Sequence, residues 1–165
     1  MVKISTIKKS ISLEYDVFAR PTDLSAADQE LYEIAAAALP ESYSPYSRFQ
    51  VAAAARLENG EVVSACNTEN AAYPMCLCAE RAALAAAASR QPTAKVVAMA
   101  ITVKSPSQVL AEPASPCGAC RQVLAEHEQR HGHRMRIILR AEVGPFYVLD
   151  SAADLLPLGF SSDFL

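Results

Sequence analysis

Two cysteines three positions apart, Cys117 and Cys120, follow Pro116 directly at the start of a predicted helix, where one turn lets both sulfurs converge on one metal. By itself Cys-x-x-Cys reads equally as a redox pair or as chance. Upstream, Cys78-Ala79-Glu80 opens a second predicted helix and supplies a third thiol. Three thiolates satisfy zinc while leaving a fourth position for water, the mark of a catalytic rather than a closed structural site. At helix N-termini the unpaired amides and the dipole favour the thiolate form, so the ligands arrive ionised. Three thiolates on a divalent ion leave one negative charge in excess. Arg81, three residues after Cys78, is placed to offset it by hydrogen bonding to a ligand sulfur. Glu80 is rotated away from the Cys78 sulfur by its two-residue offset, a poor fourth ligand but a reachable proton shuttle.

The elements that must hold these residues follow from patterning. Ser25 and Asp28 read as a capping box for a helix carrying Leu31, Ile34, Ala35 and Ala38 and stopping before Pro40. Asn59-Gly60 between two β-like runs predicts a hairpin of residues 49–57 and 61–65. After an irregular stretch over 67–75, the Ala- and Leu-rich segment 78–89 favours a helix, and the β-branched run 96–103 a buried strand. A helix over 117–131 and strands over 135–139 and 146–149 complete the order. Strand, strand, helix, strand, helix, strand, strand implies crossover helices between parallel neighbours and a three-layer α/β/α sandwich around a five-stranded mixed sheet. The runs of alanine predict close packing between elements or subunits.

Before this domain, expected at 25–165, lies an arm over residues 1–24. Its loose alternation between 3 and 18 suits an extended arm or edge strand, and Lys8-Lys9 suits an edge protected from aggregation. No apolar run approaches the roughly 20 residues that span a bilayer, and residues 1–18 lack the form of a secretory signal. A cytoplasmic protein without a membrane partner is therefore expected. The formal net charge of −3 argues against a nucleic-acid surface and for a small-molecule substrate. Five cysteines, an odd number with two close pairs, rank metal binding above a disulfide framework.

Cys-x-Glu followed by Pro-Cys-x-x-Cys, with the Glu outside the metal shell, is the signature of zinc deaminases. Together, Asn67-Thr68-Glu69-Asn70-Ala71-Ala72-Tyr73-Pro74, Cys78-Ala79-Glu80-Arg81, Pro116-Cys117-Gly118-Ala119-Cys120-Arg121-Gln122-Val123-Leu124 and Leu155-Leu156-Pro157 closely resemble the small, three-cysteine, homotetrameric cytidine deaminases. The resemblance covers roughly residues 26–165. It implies one zinc per chain held by Cys78, Cys117 and Cys120, with Glu80 moving protons from water to N3 of the pyrimidine and then assisting loss of ammonia. It further implies that Asn67 and Glu69 hold the ribose 3′-hydroxyl, that Phe49 packs on the base, and that the Ala79 amide meets the pyrimidine carbonyl. Tyr73 and Phe160 would serve the pockets of neighbouring subunits in a homotetramer with shared sites. The activity implied is deamination of cytidine and deoxycytidine in pyrimidine salvage. Family members usually carry Val-Gly-Ala where this chain has Val51-Ala52-Ala53.

Blander readings stand beside these. Cys76 is available as a fourth ligand for a structural zinc, though it and Cys66 are better taken as inert core thiols. His127 and His131, among Glu126, Glu128, Gln129 and Arg130, read as a solvated face rather than a metal pair. Asn67 and Glu69 could simply cap a loop, and Phe49 and Phe160 could be core aromatics. Competing activities are a deaminase for another aminopyrimidine, such as a nucleoside antibiotic, and a non-catalytic zinc-binding module.

Overall fold

The computed structural model describes residues 6–165, and every predicted helix and strand of the domain forms within about one residue of its expected position. Helix α1 (Ala26–Ala38) starts where the Ser25 hydroxyl accepts from the Asp28 amide, 3.1 Å away, and stops short of Pro40. Only half of the expected capping box is made. Asp28 is buried, and its carboxylate is engaged by Arg136 Nε at 3.1 Å instead of reaching back to residue 25. Strands β2 (Gln50–Leu57) and β3 (Val62–Cys66) form the hairpin, with Gly60 at φ +87°, a conformation that favours glycine. Helix α2 (Ala79–Arg90), strand β4 (Val96–Lys104), helix α3 (Gly118–His131) and strands β5 (Arg136–Arg140) and β6 (Phe146–Leu149) follow. Gly132, at φ +59°, terminates α3.

Among the described residues the sheet has six strands rather than the expected five. The extra one, β1 (Asp16–Phe18), is the end of the arm, pairing antiparallel with β6. The spatial order is β1-β6-β5-β4-β2-β3. Helix α3 crosses between β4 and β5, which are parallel neighbours as expected. By contrast α2 links β3 to β4 across the intervening antiparallel β2, so those two run in the same direction without touching as neighbours. Ala52 keeps regular register, opposite Cys66 on one side and Thr102 on the other.

Helix α1 covers one face of the sheet, where Leu31 and Ala35 meet Ala54, Ala100, Ile138 and Phe146. Helices α2 and α3 cover the other, where Ala79, Ala83, Ala87 and Leu124 meet Ala53, Ala55, Met99, Ile101 and Leu139. Alanines on α2 and β2 let that helix lie close to the strands, and the starts of α2 and α3 come together, with the Cys78 and Cys117 sulfurs 3.9 Å apart. Among the described residues, no helix is long and apolar enough to cross a membrane.

Candidate zinc site and substrate cavity

Cys78 is the residue before α2 and Cys117 the residue before α3, both in extended backbone, while Cys120 lies one turn into α3. Their sulfurs all fall within 4.8 Å of one another, the only such cluster of potential ligands among the described residues. Cys78 and Cys117 are 3.9 Å apart and Cys117 and Cys120 3.5 Å. Tetrahedral zinc with Zn–S bonds of about 2.3 Å requires sulfurs about 3.8 Å apart. The triangle therefore fits a zinc ion with one position left over.

Protons are shared unevenly within this triangle. The Cys78 thiol is pulled down to about 5, chiefly by its hydrogen bond with Cys120, with Arg81 adding to the effect. The same bond, together with burial, pushes Cys120 up. Arg81 stands where its charge is needed, with one guanidinium nitrogen 3.8 Å from the Cys78 sulfur and 3.2 Å from the Cys76 carbonyl. Cys76 lies outside the triangle, its sulfur accepting from the Asn70 amide at 3.3 Å, so a four-thiolate structural site is not formed. Neither remaining thiol is a core residue: Cys76 and Cys66 are both half-buried, and Cys66 donates to the Ala38 carbonyl at 2.9 Å.

Glu80, in the first turn of α2, is only 4% exposed, and its Oε2 has no hydrogen-bond partner among the described residues. Burial pushes its pKa above the ordinary carboxylate value. A buried carboxylate oxygen left without a partner beside three sulfurs is an expensive arrangement unless something comes to bind there. It opens onto a cavity of about 320 Å³ lined by Phe49, Asn67, Glu69, Cys78, Ile101 and Cys117, among others. Larger depressions of about 490, 640 and 360 Å³ lie around the C-terminal end of α3, beside the arm and over the loop between Ser42 and Gln50, and none of them is lined by the three sulfurs. The smaller cavity is where apolar walls and reactive groups coincide, which is what a small-molecule site requires.

Asn67 and Glu69 both brace loops, as the bland reading has it, and both line this cavity. Asn67 Oδ1 accepts from the Val51 amide at 2.8 Å and from the Ser42 hydroxyl at 2.6 Å, and its Nδ2 donates to the Phe49 carbonyl at 2.9 Å. Glu69 accepts from the Ser47 hydroxyl and from the Tyr46 and Ser47 amides, which hold its pKa below the usual carboxylate range. Phe49 is half-buried at the cavity wall. Ala79 is fully buried at the first position of α2, where a helix leaves its amide without an intrahelical acceptor.

Tyr73 and Phe160 are not core aromatics: they are 71% and 59% exposed, and neither lines the 320 Å³ cavity of its own chain. Tyr73 lies across from Tyr46 at a ring separation of 6.3 Å, and Phe160 stacks on Phe164 at 5.8 Å.

Three supporting residues escaped the sequence reading. Arg121 donates to the Pro116 carbonyl at 2.7 Å and to the Leu155 carbonyl at 3.0 Å, tying the turn that presents Cys117 to the C-terminal segment. Glu128, expected on a solvated face, is buried, and its carboxylate gathers the Met135, Ala152 and Ala153 amides and the Ser151 hydroxyl. His127 is half-buried and accepts from the Val96 amide at 3.1 Å, with burial lowering its pKa to about 4. Spacing carried a signal for Glu128, since Cys120, Leu124 and Glu128 recur every four residues on the buried face of α3.

Comparison with known proteins meets this geometry directly. The profile of the family described as "Cytidine and deoxycytidylate deaminase zinc-binding region" matches residues 25–131. The chain belongs to this family. Over 98 residues it is 45% identical to a cytidine deaminase of Halalkalibacterium halodurans, a stretch covering 59% of this chain and 70% of that one. A cytidine deaminase of Mycobacterium tuberculosis is 45% identical over 86 residues, 52% of this chain and 60% of that protein. Among solved structures, a cytidine deaminase of Burkholderia pseudomallei superposes with a TM-score of 0.69 at 39% identity, covering 79% of this chain and 97% of that one. Zinc is the family's metal, and the cluster of three cysteines is able to hold it.

Proposed function

We propose that this chain hydrolyses the 4-amino group of cytidine and deoxycytidine, releasing ammonia and leaving the uracil nucleoside. The observation that carries this reading is the Glu80 Oε2, buried without a hydrogen-bond partner among the described residues at the wall of the cavity that Cys78 and Cys117 also line. In the proposal Cys78, Cys117 and Cys120 hold zinc, which when bound acidifies water so that hydroxide is available near neutral pH. Glu80 accepts the proton lost by the attacking water and delivers it to N3 of the pyrimidine. It then passes that water's second proton to the amine, so the C4–N bond breaks as the C4 carbonyl forms and ammonia leaves. Burial and the raised pKa suit a group that must both take and give a proton.

Asn67 and Glu69 are assigned to the ribose hydroxyl, Phe49 to the face of the base and the Ala79 amide to the pyrimidine carbonyl. Tyr73 and Phe160, exposed and outside their own cavity, are assigned to pockets of adjacent chains in a homotetramer. Residues 25–165 constitute the deaminase domain and 1–24 an added arm, with the enzyme placed in cytoplasmic pyrimidine salvage. Among the described residues no Lys, Arg or His lines the cavity. A free nucleoside therefore fits it better than a nucleotide, whose phosphate calls for cationic contacts.

The test is turnover by the zinc-loaded protein, followed by ammonia release and the ultraviolet change. Cytidine, deoxycytidine, CMP, an aminoacyl-cytosine antibiotic and adenosine should be compared. Conversion of the two free pyrimidine nucleosides alone is expected; zinc-loaded protein inert toward both would overturn the reading.

A further inference from the structure

The arm before the domain has a pattern that the proposed deaminase activity does not use. From 7 to 17 its odd positions are Ile7, Lys9, Ile11, Leu13, Tyr15 and Val17, and its even positions Lys8, Ser10, Ser12, Glu14 and Asp16. That is the period-two alternation of a strand with one apolar face. Yet the apolar face is left open. Ile7 is 82% exposed, Ile11 60%, Leu13 45%, Tyr15 47% and Val17 58%. The only ring contact there is Tyr15 on Tyr147, at 4.9 Å. The last three residues, Asp16–Phe18, form the outermost strand of the sheet, pairing on one side with β6 and presenting unpaired amides and carbonyls on the other. An open edge continued by an apolar extension is what proteins ordinarily blunt or cover.

We propose that residues 6–18 pair antiparallel with the same segment of a second copy of this chain, about a two-fold axis through Ser12. This register is singled out by the sequence itself. It sets Ile7 opposite the partner's Val17 and Ile11 opposite the partner's Leu13, so apolar residues meet on one face. On the other face Lys8 comes opposite the partner's Asp16, and Ser10 opposite the partner's Glu14. Lys9, the one charged residue on the apolar face, falls opposite the partner's Tyr15, along whose ring its alkyl stem can lie. Opposite charges directly across an antiparallel pair stabilise it, and like charges oppose it. A two-fold contact of this kind closes on itself, using the β1 edge of both chains. The edge lies beyond β5 and β6, whereas the zinc site and cavity draw on β2, β4 and the starts of α2 and α3. The contact thus stands independently of the catalytic proposal.

Cross-linking tests the register. Residues directly opposite in an antiparallel pair have Cα atoms about 4.5–5.5 Å apart, within disulfide reach. Ser12→Cys therefore should yield covalent dimers when the full-length, zinc-loaded protein is treated with a mild thiol oxidant. Ser10→Cys should not, because Ser10 and its symmetry mate stand four residues apart, about 13 Å, and the parent chain under the same conditions sets the background. In the Ser12→Cys protein, Lys8→Glu should lower the cross-linked yield by opposing Asp16, and adding Asp16→Lys should restore it. Ser12→Cys remaining at background, Ser10→Cys cross-linking as efficiently, or a yield indifferent to both charge reversals would overturn the proposal.

Discussion

Replacing Glu80 by Gln keeps the volume and the buried position while removing the group proposed to take and give protons. A positioned general acid/base contributes about 10²- to 10⁴-fold, equivalent to about 2.7–5.5 kcal/mol of barrier at 1.36 kcal/mol per decade. The upper end is expected for two structural reasons. Glu80 serves more than one proton transfer in the proposed cycle, and no other carboxylate in the cavity is free to substitute. Glu69, the alternative, is committed to Ser47 and Tyr46 and held below the ordinary carboxylate pKa, which makes it a poor donor. Turnover of cytidine should therefore fall by about 10⁴-fold or more, while bound zinc, measured by elemental analysis, and uridine binding, measured by calorimetry, persist. Those two controls separate lost chemistry from lost folding. A Glu80→Gln enzyme working within tenfold of the parent, with zinc and product binding intact, would refute the assignment of the proton shuttle to this residue.

Cys120→Ala should lose zinc and stability together, because metal binding at such a site is partly folding free energy; Cys76→Ala, outside the sulfur triangle, should keep metal and activity. Both follow from zinc content and thermal denaturation, and zinc loss in Cys76→Ala would revive the four-thiolate reading. Arg81 helps to depress the Cys78 pKa, so Arg81→Ala should raise it. As protons compete with metal for the sulfur, the pH at which zinc is half released should move upward; an unmoved release curve would count against charge compensation. Glu128→Ala strands three backbone amides and a hydroxyl, for about 3 kcal/mol of lost stability. In a domain of this size that lowers Tm by roughly 6–12 °C, and a shift of under two degrees would show the staple to be dispensable.

The helices and strands of the domain were legible because each carried its own punctuation: Ser25 and Pro40 around α1, Asn59-Gly60 in the hairpin, Pro116 before α3. The zinc cluster was legible for a related reason, since ligands at helix starts lie beside sequence features that mark helix starts. What escaped depends on distant partners. The arm reads as an extended arm or an edge strand, and which of the two residues 16–18 become is decided by β6, which lies more than a hundred positions away in sequence. Asp28 looked like a capping residue until Arg136 claimed its carboxylate. The polar run from Glu126 to Arg130 reads as a solvated face until the loops around Met135 and Ala152 deliver their amides to Glu128. Arg121 carried no separate signal, because its two acceptors are backbone carbonyls that any sequence provides.

Four consecutive alanines of β2, Ala52 to Ala55, are wholly buried, alternately facing α1 and the layer of α2 and α3. They act as a gauge block for the cysteine cluster and Glu80. The start of α2 presents Cys78 and Glu80, the start of α3 presents Cys117 and Cys120, and both helices rest on the same sheet face, so the spacing between these groups is referred to one common surface. Methyl groups are the thinnest shims a side chain offers, and they have no rotamers through which the clearance could wander. A bulkier residue at Ala53 or Ala55 would lift α2 without lifting α3 equally, opening the sulfur triangle from a position that touches neither metal nor nucleoside. In this fold the tolerance of the active site is machined into the middle of the sheet.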